Sequence, residues 1–378
     1  MILFFQWNSF MNKGIENALH SMHKEYEIYY YIFQDWESDA KFEVDFRKIL
    51  KHRIYECVLS VNFSPLISNA CEERGVPYIS WIYDSPIHIK NTASLCNSVN
   101  HAYFFDKDQA NAYVKIGIPA KYMPLAVDPD VFDIPISFED RVAFSSQISF
   151  VGQLYQTYYD YYTSPLSPYY KGYLEGIIQA QSKIYGGYIL PELLTTDFLE
   201  KINQQYLSST NGSLSISKPE LEYMLAGEIT GRERFLCLSL LANHFNVSLY
   251  TSQKNNNLKN IIFKGYADYY SQMPKIFHCS DINLNVSLKA IRTGIPLRIL
   301  DVLGCHGFLI TNFQSELTDY FKINEEIIVY ENAEDLYEKT VFYTSHDSER
   351  KRIAQNGYHR VLKSFAFQDK LESMLKQL

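Results

Sequence analysis

No stretch of this chain approaches the ~20 consecutive apolar residues that a membrane-spanning helix needs, so no transmembrane segment is expected. Its opening, MILFFQW, is apolar but short. It has no basic leader and no small-residue cleavage site, the marks of a secretory signal. Of the six cysteines (Cys57, Cys71, Cys96, Cys237, Cys279 and Cys305), no two stand as C-x-x-C. They read as reduced cysteines of a cytoplasmic protein, not as a disulfide or zinc framework. The histidines show no H-x-x-x-H spacing, and no clustered His/Asp set suggests a metal. Positive charge is also scarce: 35 Lys and Arg face 43 Asp and Glu, a net charge of −8. Nucleic-acid domains carry a basic face, so nucleic acid is not an expected partner. A local basic pocket for one small anion is compatible with that balance.

What the chain does have is length and apolar content. Its 378 residues suit two domains rather than one. Hydrophobic residues at 47% and charged residues at 21% are near globular averages, enough for a large core. Tyrosine is abundant, with 31 residues. That number reflects either compositional bias or aromatic platforms for a sugar or peptide acceptor.

The hydrophobic pattern alternates strand and helix, which implies an α/β fold with a parallel sheet in each half. In the first half, strands are expected at 2–7, 27–33, 55–61, 76–83, 102–106 and 121–125, with helices at 14–23 and 64–74. The first of these carries no charge, as suits a strand covered on both faces. Residues 133–147 show no clear period and read as a link. A second start follows at 148–151. Residues 156–231 then leave the rhythm and read as a mostly helical insertion. Alternation resumes with a helix at 233–244, strands at 247–251 and 261–264, and a helix at 269–277. Helices at 334–346, 348–363 and 368–378 close the chain.

Ligands of open parallel sheets bind outside the C-terminal strand ends. That rule selects Asn8–Lys13, Asn62–Ser64 and Asp84–His88 in the first half. In the second it selects Gly152 and Gln153, Gly265 and Tyr266, Asn283 and Asn285, and Arg292, Thr293 and Gly294. Each has a plain reading beside the functional one. Gly152 is either a turn glycine needing positive φ or a point of close approach to phosphate. Asn283 and Asn285 either cap a helix or touch ligand. Asp84 is either an Asx-type turn former or, with His88, a catalytic acid or base or an orienter of an acceptor hydroxyl.

The richest stretch is 281–312, DINLNVSLKAIRTGIPLRILDVLGCHGFLITN. It reads as strand, basic loop, helix at 297–303 and strand. A loop carrying Arg292 that feeds a helix N-terminus suits an anion, because the first N–H groups lack partners and the dipole favours negative charge. Arg298 and Asp301 lie three apart on one helical face. Asp301, set in the apolar run ILDVL, reads as a buried or semi-buried acid that contacts ribose hydroxyls.

Several segments in order carry a resemblance: KGYADYYSQMPKIFHCSDINLN at 264–285, RTGIPLRILDVLGCHGFLITN at 292–312 and the ending ERKRIAQNGYHRVLKSFAFQDKL. Weaker matches are WIYDSPIH, MPLAVDPDVF and ISFVGQLY. The chain resembles GT-B glycosyltransferases, most closely the spore maturation protein B-like branch, over most of its length except a middle section near 156–231. The resemblance implies two Rossmann-like domains with parallel sheets facing across a cleft: an acceptor-side domain at 1–135, a nucleotide-sugar domain at 136–365, and a helix at 366–378 crossing back. It implies transfer of a sugar from a nucleoside diphosphate sugar, a UDP-sugar first among them, with retention of configuration and without metal. No permanently bound cofactor is implied. The acceptor is a hydroxyl, on a protein or cell-surface glycan.

Arg292 and Arg298 would then neutralise the diphosphate, with Arg298, Asp84 and His88 closest to the chemistry. The retaining relatives place two glutamates eight positions apart. Asp301 stands at the second of those positions and Thr293 at the first, where a carboxylate is missing. That departure leaves room for a second reading, a GT-B-like scaffold that binds nucleotide sugar or a partner without transfer.

Overall fold

The computed structural model describes all 378 residues. The chain divides into two compact units, Met1–Val131 with Val361–Leu378, and Phe132–Arg360. Each is built on a six-stranded sheet whose paired strands run parallel.

The first sheet contains β1 (Ile2–Gln6), β2 (Tyr26–Tyr30), β3 (Cys57–Val61), β4 (Tyr78–Ile82), β5 (Asn100–Phe104) and β6 (Ala120–Tyr122), in the order β2-β1-β3-β4-β5-β6. Strands β1, β3 and β4 are buried at every position, which is why they carry no charge. The helix Pro65–Glu72 starts where Ser64 accepts a hydrogen bond from the Ile67 N–H. Two helices absent from the sequence reading, Ala40–His52 and Lys107–Lys115, are capped in the same way by Asp39 and Asp106. The terminal helix Phe367–Leu375 completes this unit. It packs on the helix Asn12–Ser21, and Phe367 meets Trp81 edge-on at 5.6 Å.

The second sheet contains β7 (Ser146–Val151), β8 (Val247–Tyr250), β9 (Ile262–Gly265), β10 (Ser280–Asn285), β11 (Leu309–Asn312) and β12 (Ile328–Tyr330), in the order β12-β11-β10-β7-β8-β9. Strand order reverses beside the first strand of each sheet, between β1 and β3 and between β7 and β10. Those reversals are where an open α/β sheet leaves a crevice for ligand.

Three sequence expectations need correction. Residues 133–147, read as a link without clear period, contain the helix Phe138–Phe144, held by a capping box between Ser137 and Asp140. The helix expected at 233–244 is the last part of a 25-residue helix, Lys218–Ala242. Its start is written as S-x-x-E: Ser217 and Glu220 form a reciprocal capping box, with Pro219 in the first turn. The helix expected at 269–277 begins later, as Met273–Cys279.

The insertion is helical, with Tyr159–Thr163, Pro168–Ser182, Leu190–Leu193 and Thr196–Ser209 preceding the long helix. These helices bury an apolar cluster of their own, including Leu174, Ile178, Ile202, Tyr206 and Leu225. The long helix joins that cluster to the sheet, since Leu225 and Ile229 face the insertion while Leu238 and Leu241 enter the sheet's core. Between those faces, Gly231 lies against the loop that follows β7. A Cβ there would come within 2.6 Å of the Tyr155 carbonyl oxygen. Backbone cannot yield as a side chain does, so Gly231→Ala should lower stability by about 1–3 kcal/mol in urea unfolding. An unchanged midpoint would show that this close approach constrains nothing.

Candidate active site

At the reversal between β7 and β10, one side chain spans the gap. Arg234, on the long helix, is buried; its Nε donates to the Val286 carbonyl at 3.1 Å, and its Nη1 donates to the Gln153 carbonyl. The guanidinium also lies over the rings of Phe150 and Tyr155. Gly152 sits beside it without positive φ, so the turn-glycine reading does not hold. A Cβ at Gly152 would stand 3.4 Å from Arg234 Nη1.

The loop leaving β10 is pinned to its neighbours residue by residue. The Ser287 N–H donates to Asn312 Oδ1 at 2.7 Å, and the Lys289 N–H to Thr230 Oγ1 at 2.9 Å. Lys289 Nζ pairs with Glu233 at 3.3 Å, both side chains buried, beneath the ring of Tyr185. Beyond this anchor, Arg292 meets Glu222 at 3.3 Å and lies over Tyr188. Thr293 Oγ1 donates to Glu316 Oε1 at 2.6 Å, and the Glu316 N–H returns to the Thr293 carbonyl at 3.3 Å. Glu316 is 3% exposed. Gly294 leads on to Pro296, in extended backbone at the cap of the helix Leu297–Gly304. Arg292, Thr293, Gly294 and a helix N-terminus thus share one segment, pinned by these contacts beyond the C-terminal end of β10.

Arg298 and Asp301 form a separate, deeper group. Asp301 is 1% exposed, accepts a hydrogen bond from the Tyr269 hydroxyl at 2.9 Å and pairs with Arg298 at 3.5 Å. Burial pushes its carboxyl pKa up to about 7, against the opposing pull of Arg298 and the Tyr269 hydrogen bond. Arg298 itself contacts the Met273 sulfur at 3.0 Å and covers the Phe277 ring.

Other sequence candidates fall elsewhere. Asn283 and Asn285 do not cap a helix. They are buried inside β10 as polar clips, Asn283 with Ser149 and Phe277, Asn285 with Ser287 and Thr311. Gly265 takes positive φ at the end of β9, and Tyr266 beyond it is exposed. Strand β9 is the sheet's outer edge, two places from β7, so neither residue joins the Arg292 group at the reversal. No three His, Cys, Asp or Glu side chains group to hold a metal ion.

In the first unit, Asp84 follows β4 and its Oδ2 accepts from Asn62 Nδ2 at 2.7 Å. Asn62, at positive φ after β3, also accepts from the Tyr83 and Asp84 N–H groups. The side-chain-to-backbone bonds at this strand end are therefore long-range ones accepted by Asn62, not a local turn closed by Asp84. Burial raises the Asp84 pKa, opposed by the charge of His88, which is itself exposed. Sequence reasoning passed over Arg234, Glu233 and Glu316. The run GRERF, directly ahead of the apolar end of that helix, FLCLSLLA, was the available signal for the first two; Glu316 has none, because its role depends on Thr293.

Residues 232–376 match a protein-family model described as glycosyl transferase-like. The match begins where the insertion ends and contains Glu233, Arg234 and the whole 286–301 segment. No curated protein matches the chain. Among solved structures, it is similar to HepE of Anabaena in complex with UDP-glucose, at 10% identity and TM-score 0.57, over 100% of this chain and 98% of that one. It is likewise similar to a glycosyltransferase of Rickettsia africae, at 12% identity and TM-score 0.55, over 99% and 96%. A third is the sucrose-phosphate synthase of Thermosynechococcus elongatus, at 12% identity and TM-score 0.53, over 100% and 98%. The chain has the GT-B fold, and its residues 232–376 are similar to the glycosyl transferase-like family model.

Proposed function

We propose that the protein is a glycosyltransferase that moves a sugar from a nucleoside diphosphate sugar to an acceptor hydroxyl. The observation that carries this reading is the coincidence of two things on one strand edge. The glycosyl transferase-like match falls on the sheet reversal where Arg292, Thr293 and the N-terminus of the helix Leu297–Gly304 are held together. UDP is the favoured carrier, supported by the UDP-glucose bound to HepE. Arg298 ahead of Asp301 favours the spore maturation protein B-like branch; the resemblance to the retaining relatives favours retention, the basic loop a metal-independent reaction, and the unpaired cysteines work in the cytoplasm. The acceptor belongs to a protein or a cell-surface glycan.

In this reading Arg292 and the first helix N–H groups face the diphosphate and stabilise its charge as it leaves. The bond between sugar C1 and the diphosphate oxygen breaks, and its electron pair stays on the diphosphate. The acceptor oxygen bonds to C1, and the hydroxyl proton passes to the leaving group. Glu316, delivered to Thr293 from the loop after β11, supplies the carboxylate that the sequence lacks at that position. This supports transfer over a scaffold without activity. Arg298 positions Asp301, and Asp84 with His88 orients the acceptor.

Calorimetric titration of Arg292→Ala should show UDP binding weakened by about 1.5–3 kcal/mol and uridine binding barely changed. Equal losses for both ligands would remove the diphosphate assignment. Glu316→Gln keeps the size of the side chain and removes its charge. Its transfer kcat should fall roughly 10–100-fold with UDP affinity intact, the equivalent of losing one charged hydrogen bond. Normal turnover would return Glu316 to a purely structural role.

Asp301 makes a pH-dependent prediction. Its folded pKa of about 7 lies above the ordinary value of 3.8, so the native state keeps a proton that the unfolded chain has released. Stability contributed by this group is therefore full near pH 4, falls as pH rises, and is lost above about 7. Asp301→Asn does not titrate. Relative to the parent, it should gain on the order of 2–4 kcal/mol between pH 4 and pH 8 in ligand-free unfolding. A difference that stays flat with pH would show that burial does not resist ionisation here.

A further inference from the structure

Tyr185 and Glu233, which hold Lys289, also line a cavity of about 460 Å³ inside the second unit. That volume suits a small organic molecule. Ile178, Ile229 and Leu236 give it apolar walls. Its far side is the turn after β12 and the start of the helix Ala333–Ser345. Strand β12 is an edge strand two places from β10, so the cavity is separate from the crevice at the reversal.

Charge around the cavity is unbalanced. Arg232 is engaged by Glu175 at 2.5 Å and by Glu228 at 2.8 Å, and Lys289 by Glu233. Glu331 and Glu334 stand exposed at the rim without an ion pair, facing Lys183 on the other lip. Glu233 on the floor is poorly served as well. Its Oε1 accepts from the Tyr330 hydroxyl at 3.4 Å, and its Oε2 accepts no hydrogen bond although Lys289 Nζ lies 3.3 Å away. Oε2 is covered from water, but the terminal torsion of a glutamate is broad, so a small turn brings it to the cavity. Burial, then the charge of Glu233 and, less strongly, that of Glu334, raise the pKa of the Tyr185 hydroxyl. Floor and rim carboxylates therefore converge on one phenol.

We propose that this cavity binds a small primary amine with an apolar body, and that its occupant weakens binding of the sugar donor. The ammonium lies between Glu233 and Glu334 beside Tyr185, and the body lies on Ile178, Ile229 and Leu236. An anion would meet carboxylates at both floor and rim. A neutral apolar molecule would seal Glu233 in with its missing hydrogen bond still unmade, which is costly. An ammonium at Glu233 also competes with Lys289 for the same carboxylate. Lys289 stands three residues ahead of Arg292, on the loop that Thr230 and Glu233 hold. Loosening that pair loosens the placement of Arg292, and by linkage UDP weakens the amine by the same factor. The effect on the donor rests on the proposed function; the amine site rests on the cavity alone.

The test is calorimetric and uses the full chain, first without nucleotide. Phenethylamine and isoamylamine are titrated, with phenethyl alcohol and hydrocinnamate as neutral and anionic counterparts. At least one amine should bind to saturation, and both counterparts at least roughly tenfold more weakly, as loss of a charged hydrogen bond requires. Replacing both rim acids, Glu331→Gln with Glu334→Gln, should weaken the amine roughly three- to tenfold, since exposed ion pairs are individually weak. Both positions are exposed, and an unchanged urea midpoint reports that the variant is folded. UDP is then titrated with and without saturating amine, and the amine should raise its Kd at least roughly threefold. Silence of both amines overturns the site, as does equal binding of the alcohol or amine binding that the double variant leaves unchanged. A UDP affinity that a saturating amine does not move overturns the control of donor binding. Amine binding in a chain that ignores UDP supports the site and defeats the nucleotide-sugar reading instead.

Discussion

The second unit depends on one buried cation, Arg234. A guanidinium can be held away from water because its planar donors are spent on carbonyl oxygens and its faces rest on aromatic rings. Here the carbonyls are those of Gln153 and Val286, the residues where the chain leaves β7 and β10. The crevice where an open sheet takes its ligand is thus spaced by a side chain from a helix outside the sheet. Much else follows from that placement. Gly152 stands against Arg234, Thr230 and Glu233 on neighbouring turns hold the Lys289 loop, and Arg292 emerges from it in a fixed direction.

The same long helix explains what the insertion contributes. Its first half belongs to the insertion's own core and its second half to the core of the sheet. Glu222, on the insertion side, meets Arg292, and Tyr188 lies under the same guanidinium. The basic group nearest the proposed diphosphate is therefore held by residues outside the part that matches the family model. The first unit repeats the principle with different chemistry: an indole N–H bridges the ends of β1 and β3, and an asparagine at positive φ gathers the chain after β4.

Burial separates the two halves of the 292–301 segment. Arg292 and Thr293 belong to the loop, with Glu222 and Glu316 as partners. Arg298 and Asp301 are turned towards Tyr269, Met273 and Phe277. An acid without water keeps its proton unless a cation or donors compensate, and Arg298 with Tyr269 compensates only in part. Asp301 consequently holds its proton to higher pH in the fold than in the unfolded chain.

Periodicity alone determined the α/β alternation, the uncharged buried strands and the helical insertion, because apolar spacing and caps are local properties of the chain. The rule about strand ends also led from the sequence to Asp84, Gly152 and Arg292. It could not rank them, since the order of strands across a sheet is not written in their order along the chain. Only the folded sheet shows that Tyr266 ends an edge strand while Val286 ends one at the reversal. Only there does Thr293, which seemed to lack a carboxylate, acquire Glu316 from 23 residues further on. Asn283 and Asn285 look like ligand groups in sequence and are core clips in the structure, because β10 is buried on both faces. A side chain's chemistry belongs to the sequence. The partners that hold, bury or charge it come from distant segments, and tertiary packing alone brings those together.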